Sequence, residues 1–141
     1  MKYILITFSM LFFFIGCTVK SPVKVKNQIS LYKGGIDDII LEGQLKQKPI
    51  LIDFWASWCA PCIRMESETY SDPVLDSFIK RNYSMYKLDA DSFDGLEASG
   101  KYGVKSFPTL IVTDSKGNEL EKIEGFYLPA HLKAKLSKHL R

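Results

Sequence analysis

At 141 residues, 46% of them hydrophobic and 25% charged, the chain has the make-up of one globular domain and is too short for two. The formal net charge of +3 is spread along the length, with no basic block interleaved with aromatics, so nucleic acid is excluded as a partner.

The first residues read as a targeting segment rather than as part of a fold. Lys2 precedes an apolar run over residues 4–15, closed by the small pair Gly16-Cys17, which is the layout of a secretory signal. The run falls short of the ~20 residues that a spanning helix needs. Its end, Phe14-Ile15-Gly16-Cys17, resembles the bacterial lipobox, with Phe14 where Leu is commoner. That resemblance implies cleavage before Cys17 and a diacylglyceryl group on its sulfur. The expected division is a signal peptide over 1–16, a lipidated tether over 17–28 and a folded domain over 29–141. Such a protein would sit in the bacterial cell envelope, held to the membrane by its lipid and facing the periplasm or extracytoplasmic space. The tether is polar and carries Pro22 with Lys20, Lys24 and Lys26, a solvated spacer.

Beyond it, helix and strand patterns alternate. Residues 29–32 suit a short edge strand, and Ile36, Ile39, Ile40 and Leu45 recur at helical spacing until Pro49 stops them. The apolar stretch over residues 50–55 contains one charge, Asp53, and suits a strand buried on both faces. Residues 61–81 predict a long helix, kinked or broken at Pro73, and 85–88 the next strand. Residues 93–102 form a weaker helix containing Gly95 and Gly100. Two strands follow at 109–113 and 119–123 about Ser115-Lys116-Gly117-Asn118, a hairpin signal, and 129–140 supply a last amphipathic helix. A βαβ half is thus joined to a ββα half, an α/β domain.

Without Cys17 the cysteines are Cys59 and Cys62, too few for a disulfide scaffold and too close for a bridge that closes a useful loop. A pair of this kind in an oxidising compartment points to redox chemistry. Trp58-Cys59-Ala60-Pro61-Cys62 follows the buried strand and opens the long helix, so Cys59 falls at its N-cap. Unpaired backbone N–H groups and the positive end of the helix dipole there favour a thiolate, and the position is also expected to be exposed. Pro61 suits the first helical positions, where a missing N–H is no loss. Cys62 lies one turn deeper on the same face, placed for a second sulfur to attack a mixed disulfide.

With these residues in view, the chain resembles the thioredoxin superfamily. Residues 53–62 look like the strand-to-helix active site of that family, and Phe107-Pro108-Thr109 looks like its cis-proline loop. The resemblance implies a thioredoxin fold, with a central mixed sheet flanked by helices, and a thiol-disulfide oxidoreductase that needs no cofactor beyond a redox-active Cys59–Cys62 disulfide. It implies that Asp53 takes the proton of Cys62, with Lys87 as the partner of that acid. It also implies that Trp58, Ala60, Pro61, Phe107, Pro108 and Gly125 border the client strand, Phe107 through its free backbone. Thr69-Tyr70-Ser71-Asp72-Pro73-Val74 is similar to the periplasmic C-terminal domain of the membrane disulfide reductases. From that likeness come the expected partners, oxidised client proteins and a membrane thiol reductase that donates electrons. Ile63 departs from the Lys or Arg common after the second cysteine.

Other readings stand beside this one. An oxidant or isomerase of the same fold would run the exchange in the opposite sense. Two thiolates also hold Cu(I) or half of a zinc site, but zinc wants four ligands and His131 and His139 lie eight apart on the last helix, far along the chain.

Overall fold

The computed structural model describes residues 34–140; Cys17, the signal, the tether and the strand expected over 29–32 lie outside the described residues. Helix α1, Ile36–Lys46, starts behind Gly35, whose N–H donates to the Asp38 carboxylate at 3.2 Å, and carries Asp37 and Asp38 in its first turn. It ends at Gln47, in the left-handed region, before Pro49. Strand β1, Ile50–Trp55, then runs parallel to β2, Ser84–Asp89, and antiparallel to β3, Thr109–Thr113. Strand β4, Glu119–Glu124, pairs antiparallel with β3, giving the order β2-β1-β3-β4.

Alternation along these strands sorts their side chains into two cores. Ile50, Ile52 and Phe54 of β1, Tyr86 and Leu88 of β2 and Ile111 of β3 pack with α1 and with α4, Phe93–Tyr102. Leu51, Leu110, Val112 and Ile123 face the opposite way. There they meet Met65, then α3, Pro73–Asn82, through Leu75 and Ile79, and α5, Pro129–Leu136, through Leu132 and Leu136. By the same alternation Asp53 and Lys87 belong to this second face.

The long helix expected over 61–81 is three pieces. Helix α2, Ala60–Arg64, passes into a π turn, Met65–Thr69, in which the Tyr70 N–H donates to the Met65 carbonyl at 2.9 Å. The chain then breaks at Pro73, and α3 restarts with the Asp72 carboxylate accepting from the Leu75 N–H at 2.8 Å. Gly95 is no weakness in α4: a Cβ there would lie 1.9 Å from the Asp89 carbonyl, so glycine lets α4 start hard against the end of β2. The last helix turns 3-10 at Ser137–His139. Among the described residues no helix is long and apolar enough to cross a membrane.

Candidate active site

Strand β1 delivers its C-terminal end directly to Cys59, the N-cap of α2. Cys59 and Cys62 are joined as a disulfide with Cα atoms 5.2 Å apart, and the Cys59 sulfur accepts from the Cys62 N–H at 3.2 Å. An orphan N–H of the first turn thus already points at the sulfur of Cys59, the interaction that stabilises a thiolate there once the bridge opens. The expected contrast in exposure is absent. Both residues are 4% exposed, packed with Ala56 and Ala90. What separates them is the N-cap position, which Cys59 alone occupies.

Where β1 and β2 meet the π turn that follows α2 lies a buried polar cluster. Asp53 is 2% exposed, and its Oδ1 has no hydrogen-bond partner in the protein. Burial, which disfavours the charged form, is the largest influence and pushes its carboxyl up to about 6. The Lys87 charge and the Tyr70 hydroxyl, whose dipole acts on it without completing a hydrogen bond, draw it back down, while the Glu66 carboxylate pushes it up. Burial and the Asp53 carboxylate raise the Tyr70 phenol well above its ordinary range, so it stays neutral.

Lys87 is paired in register with Asp53 across β1 and β2. Its ammonium, however, forms its ion pair and hydrogen bond with Glu66 of the π turn, and it stands 4.4 Å from the centre of the Trp55 ring. Asp53 therefore feels Lys87 as a neighbouring charge rather than as a bonded partner. Glu66 and Tyr70 were not expected here. Counted from Cys62, Met65, Glu66 and Thr69 fall at the spacings that share one helix face, and a Glu on that buried stripe is a signal legible in the sequence.

Trp58 is 65% exposed, donates from its indole N–H to Asp91 at 2.8 Å and meets Phe107 edge-to-face at 6.0 Å between ring centres. Asp91 had no signal in the sequence, lying in the loop beyond β2. Trp55 is half-buried, with its indole nitrogen lacking a partner. Ala60 and Pro61 are exposed at the start of α2. The Phe107-Pro108 peptide is cis, Pro108 is buried, and its carbonyl accepts from the Gly125 N–H at 2.8 Å. Gly125 has φ of +88° and nothing within 4 Å of where a Cβ would stand, so this corner offers bare backbone beside the cis-proline loop. His131 is exposed, and His139 is held by Glu121 at 2.6 Å.

Residues 37–140 match the family model described as a thioredoxin-like domain. The thioredoxin of Bacillus subtilis is 37% identical over 91 residues, covering 64% of this chain and 82% of that protein. A Staphylococcus aureus thioredoxin is 33% identical over 105 residues, covering 74% and 95%. Among solved structures, the oxidised C-terminal domain of DsbD from Neisseria meningitidis superposes with a TM-score of 0.63 at 19% identity, over 79% of this chain and 100% of that one, a likeness of fold.

Proposed function

Because this chain belongs to the thioredoxin-like family and is a thiol-disulfide oxidoreductase with its redox bridge at Cys59–Cys62, we propose that it reduces disulfides of client proteins outside the cytoplasm. In the dithiol form the Cys59 thiolate attacks a client disulfide, giving a Cys59–client mixed disulfide and releasing one client thiolate. Cys62 then gives its proton to the Asp53 carboxylate, directly or through one water, and attacks the Cys59 sulfur. The Cys59–Cys62 bridge forms, the second client thiolate leaves, and the client has gained two electrons. Trp58, Phe107 and the open backbone at Gly125 receive the client strand, which pairs with the backbone of Phe107. A membrane thiol reductase returns the electrons. The apolar run over 4–15 and the lipobox-like Phe14-Ile15-Gly16-Cys17 support export and a lipid anchor on Cys17.

The observation that carries the reading is the Cys59–Cys62 pair at the start of α2, with the buried Asp53 carboxyl to exchange the proton of Cys62; because such a group serves exchange in either sense, the reducing direction is supported by the likeness of residues 69–74 to a reductase domain. The test is the redox state in the cell, by acid quench and thiol alkylation, with the potential of the purified protein. A population mainly reduced, with a potential toward the low end of the range of about −270 to −120 mV, supports the donor role. A population mainly oxidised, with a potential toward the upper end, replaces it with an oxidant or isomerase.

A further inference from the structure

Three groups that carry charge when ionised share the space beneath the active-site helix: Asp53 from β1, Lys87 from β2 and Glu66 from the π turn. Tyr70 adds a neutral hydroxyl. From β3 the register neighbour of Asp53 is Leu110, which brings no charge. One cation thus stands between two carboxylates, and the geometry divides it unequally. Lys87 is 6% exposed and bonded to Glu66, while Asp53 Oδ1 has no hydrogen-bond partner. The Trp55 ring, 4.4 Å from the ammonium, adds a further contact to Lys87 in that place.

We propose that Glu66 is a positioning residue for the resolving step: it holds the Lys87 ammonium that would otherwise pair with Asp53, and so leaves Asp53 an unpaired buried acid free to exchange a proton with Cys62. An Asp53 fully paired with Lys87 would stay ionised to lower pH and would be a weaker base at neutrality. The π turn belongs to the same device, since it is the segment that carries Glu66 to Lys87. It is itself tied down where the Thr69 hydroxyl donates to the Tyr127 carbonyl at 2.6 Å. Such turns recur at functional sites.

This inference rests on the reading of Asp53 as the proton acceptor, and the two are separable by experiment. The full-length oxidised protein, labelled with carbon-13 at the Asp carboxyls, reports the titration midpoint of Asp53 by NMR, whether or not Asp53 takes part in exchange. Glu66→Gln should lower that midpoint by about one pH unit, as expected when a cation moves onto a carboxylate. Lys87→Met should raise it, and in the Lys87→Met background Glu66→Gln should lose most of its effect. Glu66→Asp keeps the charge on a shorter arm, and carries the test if the amide variant does not fold. Its midpoint should also fall, because Lys87 is held less firmly. An unchanged midpoint in Glu66→Asp, or an equal Glu66→Gln shift with and without Lys87, overturns the proposal and leaves Glu66 a simple charge or a structural residue. If the midpoint moves as expected while the acid limb of mixed-disulfide resolution stays put, the positioning role stands and the reading of Asp53 as the base falls.

Discussion

The two faces of the central sheet are made from alternate residues of the same strands, yet they are built to different rules. Toward α1 and α4 the strands present Ile50, Ile52, Phe54, Leu88 and Ile111, an apolar layer closed by Ala98 and Tyr102. Toward the active-site helix, β1 presents Leu51 and then Asp53, and β2 presents Lys87. Among the described residues Asp53 and Lys87 are the buried members of the Asp, Glu, Lys and Arg set. Asp53 Oδ1, Trp55 Nε1 and the Tyr70 hydroxyl are buried there without a hydrogen-bond partner, an arrangement that costs stability. The face toward the active-site helix therefore combines an apolar core of its own with a titratable carboxyl set beside the π turn, where the other face is apolar throughout its strands' centre. The chemistry lives where the hydrophobic alternation is broken.

This contrast can be broken most decisively at the sulfur. Cys59→Ser should reduce insulin-disulfide reduction to the uncatalysed background while leaving the fold intact, as circular dichroism would show. On the apolar face, Phe54→Ala should cost about 3–5 kcal/mol by denaturant unfolding, since Phe54 is fully buried, with little change in exchange rate per folded molecule. A comparable loss of exchange rate would mean that the two faces are not separable.

Asp53 gives the next effect. Its folded midpoint of about 6 stands above the ordinary carboxyl value of 3.8, so the folded state favours the protonated form. Its contribution to stability is therefore fully present below about pH 4 and is lost as pH rises through about 6. Integrated over that window, the loss is about 3 kcal/mol, and Asp53→Asn should remove it, so that the variant gains on the wild type as pH rises. Urea unfolding at pH 4 and pH 8 measures this difference; a constant difference between the two proteins would place Asp53 in a wetter setting. The smallest effect belongs to the rim. Trp58→Ala should raise KM for a protein client roughly twofold to tenfold, the weight of one aromatic contact, with a minor change in melting temperature.

How much of this the sequence carried varies with the kind of signal. The strand over residues 50–55 was plain because a dense apolar run between Pro49 and the Cys-containing turn admits little else. Asp53 stood out for the same reason, as one charge in that run. The π turn was not legible: residues 62–72 have ordinary helix formers, and an extra residue per turn leaves no mark on composition. Its consequence, that Lys87 binds Glu66 rather than Asp53, needs the three-dimensional position of a carboxylate that the sequence places on the Cys62 face of the helix without naming its partner. Asp91 meets Trp58 through a contact 33 residues apart, beyond the reach of any local pattern. In the sequence Gly95 looks like a helix weakness, because the approach of Asp89 that demands it is tertiary.

The claim on which the rest turns is that Asp53 takes the proton of Cys62, and stopped-flow kinetics of the Asp53→Asn protein with a fluorescent disulfide client tests it directly by resolving the two chemical steps. Attack by Cys59 should proceed at the wild-type rate, while resolution of the mixed disulfide by Cys62 should slow by about a hundredfold or more, the weight of a positioned general base. Equal slowing of both steps, or of neither, would contradict the account and return Asp53 to a structural role.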